Sequence, residues 1–278
     1  EAQKMKQYLD FMRHVRRNGA PKSDRTGTGT LSVFGHQLRF DLAAGFPLVT
    51  TKRVHCKSIA YELLWFLRGE TNTKFLRDNG VSIWNEWADE NGELGPVYGK
   101  QWVDWPVYEP ADDGLFRQRA KGINQVAELV ESVRTNPGSR RHIVEGWNVA
   151  ELDAMALPPC HKTYQFHVSG NRLSCLLYQR SCDVALGLPF NLFGAALFLR
   201  LVSQQCDLEP GELVWMGGDV HLYSNHTDLV EEQLRREPAG EAHFAIARRP
   251  ASIFDYRIED FAVTGYDPQA HISAPVAV

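Results

Sequence analysis

A lone thiol, Cys160, directly follows an Ala-Leu-Pro-Pro turn at residues 156–159 and precedes a stretch that alternates like a strand. This setting is typical of a nucleophile held at the mouth of a site. A polar run from Gln179 to Asp183 follows, and its Arg180 could stabilise the thiolate form of Cys160. Most free cysteines are small buried side chains, so the cysteine alone leaves both interpretations open.

A second candidate is the carboxylate of Glu62, which lies among the apolar residues of a helical stripe at 58–67. Burial disfavours the charged form of a carboxylate and raises its pKa, which would suit a general acid. The alternative is a glutamate on the exposed edge of the helix, which is the commoner situation.

Three arginines could bind an anion. Arg25 begins a glycine-rich patch, 25–30, that lacks the Lys-Ser/Thr of a phosphate loop and is followed by a strand, so the patch is predicted to be a turn. Arg25 itself could still bind a phosphate. Arg140 and Arg141 are adjacent and would face opposite ways on an extended segment. They are either two solvated charges or, if both serve one site, residues that a second chain contributes to that site.

Other chemistries have little support in the sequence. It has no paired CxxC and no HExxH, and His221 and His226 are spaced off one helical face, so no metal site is predicted. A cysteine hydrolase would need a histidine beside Cys160, but His161, as its strand neighbour, is expected to point to the other face. His221 followed by Asn225 could in principle supply that histidine.

Composition limits the class of protein. The chain has 278 residues, of which 44% are hydrophobic, and a net charge of -4, so it can bury a sizeable core and offers no bulk positive field for DNA or RNA. Five cysteines without paired spacing favour reduced thiols and a cytoplasmic location. No apolar run approaches a membrane span, and the segment at residues 4–8 has no hydrophobic region typical of a signal peptide. Residues 1–4 are predicted to be an expression remnant.

The periodicity of the chain predicts one interwoven α+β domain over residues 5–278, with 106–121 as a variable surface insertion. The predicted elements are a helix at 8–17, a strand at 31–40, a helix at 58–67, short aromatic-rich elements at 83–87 and 97–102, a helix at 123–133, strands at 142–144, 163–168 and 173–179, a long apolar helix at 189–205, a final helix at 224–236, and short closing strands.

Taken in order, these motifs resemble the folate-dependent, homodimeric thymidylate synthase family over nearly the whole chain. The matching segments are 24–30, 45–52, 62–67, 95–102, 139–141, the segment around Cys160, 179–183, 186–191 and 219–226. The resemblance implies a mixed central β-sheet flanked by helices, a long buried central helix, and a homodimer formed through one face of the sheet.

The resemblance also implies a reaction, the reductive methylation of dUMP to dTMP. In this family 5,10-methylenetetrahydrofolate is both carbon donor and hydride source and leaves as dihydrofolate, without metal, flavin or nicotinamide. Cys160 would add to C6 of the uracil, which makes C5 nucleophilic. Arg25, Arg180 and Ser181 of one chain would bind the phosphate together with Arg140 and Arg141 of the partner.

The remaining roles that the resemblance implies are divided between nucleotide and folate. Asn191 would donate to O4 and accept from N3–H of the pyrimidine, His221 and Tyr223 would contact the ribose 3′-hydroxyl, and Gln179 and Asp183 would also contact dUMP. Glu62, with waters, would manage protons at O4 and the folate nitrogen, and Tyr98 and His161 would support the network around C5. The folate site would comprise Lys52 at the glutamate tail, His55, Ile83, Trp84, Trp87, Asp183, Leu186, Gly187, Phe190 and Ala277.

Three alternatives remain: a dUMP hydroxymethylase of the same architecture, a thiol hydrolase using Cys160 with His221, and a non-catalytic nucleotide or RNA binder. The terminus, 274–278, resembles a segment that folds over bound ligands and excludes water, which would otherwise give the hydroxymethyl product. Asn191 argues against a cytosine hydroxymethylase, in which the matching residue is acidic. Gly194-Ala195 departs from the more common Ser-Tyr, which puts the packing of that helix in question.

Overall fold

The computed structural model describes residues 2–240 and 242–276, and its centre is a six-stranded mixed sheet. The strands are β1 (Ala20–Lys22), β2 (Thr30–Asp41), β3 (Tyr108–Pro110), β4 (Phe116–Gln118), β5 (Ile143–Glu145), β6 (His161–Ser169), β7 (Arg172–Asp183), β8 (Glu209–Tyr223), β9 (His243–Ile246) and β10 (Phe261–Thr264). The α-helices are α1 (Ala2–Asn18), α2 (Cys56–Leu67), α3 (Lys74–Asp78), α4 (Gly99–Val103), α5 (Gln125–Thr135), α6 (Gly187–Gln205) and α7 (Thr227–Arg235).

The order of strands in the large sheet is β1-β2-β8-β7-β6-β5, and β7 and β8 are its parallel pair. A parallel connection needs a crossover, and α6 supplies it between these two strands. The carboxyl ends of β7 and β8 therefore meet at one edge of the sheet. Asp183 is paired in register with His221 there, and Ser181 with Asp219.

The central helix α6 is mostly apolar and is the most buried helix of the core, as predicted. It begins at Gly187, two residues before the predicted start at Pro189. Gly194 faces α2, where an added Cβ would lie 3.3 Å from Cγ2 of Ile59. The departure from the family pattern is therefore a close helix contact, in which the lack of a side chain offsets the poor helix propensity of glycine.

The two faces of the sheet differ in burial. Along β7 and β8 the side chains that face the helices, among them Leu177 and Trp215, are fully buried. On the other face Leu176 and Tyr178 are half-buried and Met216 is 37% exposed. A single chain thus leaves this apolar face partly open to water.

Several predicted boundaries differ from the structure. Segment 83–87 forms turns, and the surface insertion predicted at 106–121 contains the short exposed hairpin of β3 and β4. The predicted helix at 224–236 is a 3₁₀ turn, Ser224–His226, followed by α7. Residues 2–4 continue α1, whereas residue 1 lies outside the described residues. Within the described part of the chain, no helix is long and apolar enough to cross a membrane.

Candidate active site

A cavity of about 670 Å³ opens where the carboxyl ends of β7 and β8 meet the start of α6. This volume is in the usual range for small-molecule sites, and the edge of a sheet beyond its strand ends is a frequent position for them. The predicted residues that line it are Arg25, Glu62, Ile83, Trp84, Trp87, Tyr98, Cys160, His161, Gln179, Arg180, Ser181, Asp183, Leu186, Gly187, Phe190, Asn191, His221 and Tyr223.

Cys160 lies in a bend immediately before β6, and the prolyl turn before it holds Arg180. The carbonyl oxygen of Pro159 accepts from Nε of Arg180 at 2.9 Å, and that of Pro158 accepts from Nη2 at 2.8 Å. These bonds bring Nη2 to 4.0 Å from Sγ of Cys160. The backbone N–H of Cys160 donates to the hydroxyl of Tyr98 at 2.8 Å. The turn therefore fixes both the thiol and the cation beside it.

Two opposing effects act on the thiol of Cys160. Burial raises its pKa, and the charge of Arg180 lowers it by less, so that the net shift is upward. In the chain without ligands the thiol is thus largely protonated at neutral pH. Arg180 lowers the pKa of the Cys160 thiol, as expected, but the increase caused by burial is larger.

Glu62 projects from α2 into the cavity and accepts a hydrogen bond from Nε1 of Trp84 at 2.7 Å. Burial raises the pKa of Glu62 to about 7, while this hydrogen bond lowers it by less. Glu62 thus exists in both protonation states near neutral pH, as a group that transfers protons there requires.

A directional chain of hydrogen bonds runs under the cavity. The indole N–H of Trp215 can only donate, and Oε1 of Gln179 accepts it at 2.9 Å. Nε2 of Gln179 must then be the donor to the Ser181 carbonyl at 3.1 Å and to Oδ1 of Asn191 at 2.8 Å. Asn191 consequently donates from Nδ2 to Nε2 of His161 at 2.9 Å. Trp215 therefore determines the orientation of every amide in the chain.

His161 lies in the same cavity as Cys160, so the prediction that it points to the other face was wrong. Strand alternation does not apply, because Cys160 belongs to the bend and β6 begins only at His161. Burial lowers the pKa of His161 to about 4, so its ring is neutral. A neutral ring that accepts at Nε2 carries its proton on Nδ1.

Asp219 is a site residue that the sequence analysis missed. It accepts from Ser32 at 2.7 Å, contacts Nδ1 of His221 at 3.1 Å and pairs with Lys22. Burial raises the pKa of Asp219, but the hydrogen bonds from its three partners outweigh it and keep that pKa below the ordinary value. The available signal was its spacing of two from His221, which places both side chains on one face of a strand.

One wall of the cavity is apolar and aromatic. Trp84 and Trp87 meet edge to face with 5.8 Å between ring centroids, and Ile83, Leu186 and Phe190 complete the wall. Val276 also lines the cavity, which brings the terminal segment to its mouth. Ala277, the predicted terminal contact, lies outside the described residues.

Two predicted folate residues are not brought to the cavity. Lys52 is 3% exposed, its ammonium donates to the carbonyl oxygen of Ala185, and burial lowers its pKa to about 8. His55 contacts Oγ of Ser58 at 2.6 Å beside the start of α2. Contact between Lys52 and a glutamate tail would require the side chain to leave this position.

Arg140 and Arg141 do not line the cavity of their own chain. Arg141 borders a separate cavity of about 440 Å³, next to Glu128 and Glu145 at the β5 edge of the sheet. Neither guanidinium can therefore complete the phosphate site of the same chain without a large displacement. This position agrees with the expectation that a second chain presents them.

Comparisons with known proteins point to one family. The sequence model of a family described as thymidylate synthase matches residues 6–278. A curated protein from Novosphingobium aromaticivorans, named thymidylate synthase, is 64% identical over 301 residues, and the match covers 98% of this chain and 96% of the relative. The resemblance found in the sequence motifs is thereby confirmed.

Proposed function

The chain belongs to the thymidylate synthase family, a family of methyltransferases that convert dUMP to dTMP, and we propose that Cys160 is the nucleophile of this reaction. The observation that supports this role is the convergence of Cys160, Arg180, Glu62 and Asn191 on one cavity. A methylenetetrahydrofolate co-substrate supplies the carbon and the hydride. The residues of the chain bind, orient and move protons.

Cys160 forms a bond from Sγ to C6 of the uracil, and the thiol proton leaves to a nearby acceptor. The electron pair of the C5–C6 double bond moves toward O4, which gives C5 the nucleophilic character that it lacks in free dUMP. Arg180, 4.0 Å from Sγ, favours the thiolate that attacks. Glu62 donates a proton toward O4 through water and takes it back as the electrons return.

The phosphate of dUMP is bound by Arg25, Arg180 and Ser181, which all line the cavity. Guanidinium groups on a phosphate dianion form charge-assisted hydrogen bonds of the strong kind. Asp183 and the aromatic wall hold the pterin, and Val276 excludes water. Lys52, His55 and Ala277 remain proposals for the glutamate tail and the closing segment.

Asn191 selects uracil because the directional chain leaves it one free lone pair on Oδ1 and one free hydrogen on Nδ2. Uracil offers N3–H and O4, which match this pair, whereas cytosine offers the reverse pattern. Gln179 has no amide hydrogen left for the substrate, since the Ser181 carbonyl and Asn191 accept both. The contribution of Gln179 to dUMP binding is therefore made through Asn191.

Replacing Gln179 by Leu is expected to lower the ratio of dCMP to dUMP dissociation constants by about tenfold or more, because the amide of Asn191 can then rotate. Isothermal titration calorimetry with each nucleotide measures this ratio. Gln205→Leu, which removes an equally buried amide outside the cavity, is the control and should leave the ratio unchanged. Equal weakening of both nucleotides by Gln179→Leu would contradict the orienting role.

We further propose a homodimer formed through the face of the sheet that the helices leave open. Met216 and Ile143 on that face are 37% and 42% exposed, and Phe34 is 88% exposed. Exposed apolar faces of this kind mark contacts between protein chains. A two-fold dimer would allow Arg140 and Arg141 of each chain to reach the phosphate in the cavity of the other.

A mixed dimer tests the shared site. Cys160→Ala and Arg140→Ala chains, each nearly inactive alone, are expected to recover about a quarter of wild-type activity when co-expressed in equal amounts, because half of the dimers are mixed and each mixed dimer has one intact site. Steady-state dTMP formation measures the recovery. A mixture of two different Cys160 variants is the control, since it cannot form an intact site. Absence of recovery would exclude the arrangement.

The proposed activity itself is tested with dUMP and methylenetetrahydrofolate. Absorbance follows dihydrofolate, and chromatography separates dTMP from hydroxymethyl-dUMP. Dihydrofolate with dTMP supports the synthase, whereas the hydroxymethyl nucleotide would identify the hydroxymethylase alternative. We also propose a cytosolic location, for which the five free thiols are the support.

A further inference from the structure

The terminal segment of the described chain, 270–276, reaches the mouth of the cavity with few polar anchors. Arg236 donates to the carbonyl oxygen of Ala270 at 2.6 Å, at the start of the segment. Residues 271–276 take part in one hydrogen bond among the described residues. The carbonyl oxygen of Pro275 accepts it from Nε2 of His226 at 2.7 Å. Val276, which lines the cavity, is the next residue. His226 is thus the anchor closest to the substrates.

His226 is fully buried and faces two different parts of the site. Because a carbonyl can only accept, Nε2 must carry a proton. The other nitrogen, Nδ1, points toward Oδ1 of Asp183 at 3.9 Å and has no hydrogen-bond partner among the described residues. A buried nitrogen without a partner is costly unless a functional state of the protein satisfies it. The ring therefore stands between the terminal segment and a carboxylate of the site.

Asp183 in turn organises the turn that leads into α6. Its Oδ1 accepts from the backbone N–H groups of Ala185 at 2.9 Å and Leu186 at 3.1 Å. Leu186 belongs to the apolar wall of the cavity. The imidazole of His226 therefore lies between the terminal segment and the turn that carries the apolar wall. His226 does not itself line the cavity.

We propose that His226 is a positioning residue that fastens the terminal segment over the cavity, in register with the turn at Asp183. This inference rests on the proposed function, in which that turn and the aromatic wall hold the folate. Loss of the anchor would leave the nucleotide end of the site intact. It would weaken the folate end and admit water to the reacting carbon.

Two substitutions separate the two contacts of the ring. The amide nitrogen of glutamine reaches about as far as Nε2, so His226→Gln can still donate to Pro275. The side chain of asparagine ends near the position of Nδ1, so His226→Asn cannot. We expect His226→Asn to raise the KM for methylenetetrahydrofolate about tenfold or more and His226→Gln to raise it less than about threefold. The dissociation constant of dUMP, measured by calorimetry, should change less than about twofold in both.

Two further readouts distinguish fastening from general stability. With dUMP and folate bound, hydrogen exchange of the terminal peptide should increase in His226→Asn and not in His226→Gln. The share of hydroxymethyl-dUMP among the products should rise in His226→Asn alone. Gln233→Asn is the matched control. It shortens another fully buried side chain, which belongs to α7 and contacts Thr51, and it should change neither readout.

Equal KM values for the Asn and Gln variants, or equal weakening of dUMP and folate, would overturn the inference. If circular dichroism shows that His226→Asn does not fold, His226→Ser repeats the test with the same expectation. Failure of the proposed function is a separate result, since the wild-type protein would then form no dihydrofolate at all. With an active wild type, the outcome concerns His226 alone.

Discussion

Replacement of Cys160 by Ala is expected to lower kcat for dTMP formation by about 10⁴-fold or more, because no other group can form the bond to C6. The dissociation constant of dUMP should change by less than about tenfold, since Arg180 is held by the carbonyls of Pro158 and Pro159 and does not depend on the thiol. Chromatography of dTMP and calorimetry with dUMP measure the two quantities.

The matched control is Cys56→Ala, which removes a thiol of similar burial outside the cavity. It should retain nearly full activity. Substantial turnover by the Cys160→Ala protein would exclude covalent catalysis by this residue. Loss of dUMP affinity in parallel with kcat would instead indicate that the prolyl turn and Arg180 had moved.

Replacement of Glu62 by Gln is expected to lower kcat by about 10² to 10⁴-fold, the usual range for a general acid-base group. Wild-type kcat/KM should decline as pH rises through about 7, since burial raises the pKa of Glu62 in the free protein to about 7 and its protonated form is the proposed donor at O4. The Gln variant should lack this limb of the profile. Steady-state rates between pH 5 and pH 9 test both statements, and Glu70→Gln, an exposed pair of Arg68, is the control.

The ionisation of Glu62 also changes the free energy of unfolding, in a direction that its raised pKa predicts. Between about pH 4.5 and pH 7 the folded chain holds a proton on Glu62 that the unfolded chain has released, so its contribution to the free energy of unfolding falls as pH rises through this window. The Gln variant, which cannot ionise, should therefore gain stability relative to wild type over that range. Thermal unfolding at pH 5 and pH 8 gives the sign. An unchanged difference between the two pH values would contradict a buried, titrating carboxylate.

Much of the site was predictable because short-range patterns determine it. The alternation of β7, the apolar stripe around Glu62 and the mostly apolar α6 each carry their own periodicity. The pairing of Asp183 with His221 follows from one parallel crossover between β7 and β8. Once the strands and helices are assigned in order, this crossover brings the carboxyl ends of β7 and β8 together.

The parts that sequence reasoning missed depend on contacts between distant segments. The sequence did not predict that the ammonium of Lys52 is buried against the carbonyl oxygen of Ala185, and its contact with a ligand tail stays a proposal. His161 was placed on the wrong face because the bend at Cys160 interrupts the alternation. Asp219 was overlooked because its partners, Lys22 and Ser32, come from β1 and β2 at the other end of the sequence. No local pattern encodes the positions of Lys52 and His161, and the spacing of Asp219 from His221 gives only a shared strand face.

The hydrogen bond from the indole of Trp84 to Glu62 has a spectroscopic consequence. The fluorescence of an indole depends on the charge beside it, so Trp84 emission should change as Glu62 gains or loses its proton. A difference spectrum between the wild-type protein and Trp84→Phe isolates this signal from the other tryptophans. The ionisation of Glu62, the proposed catalytic acid, thereby becomes visible in the resting protein, before any substrate is added.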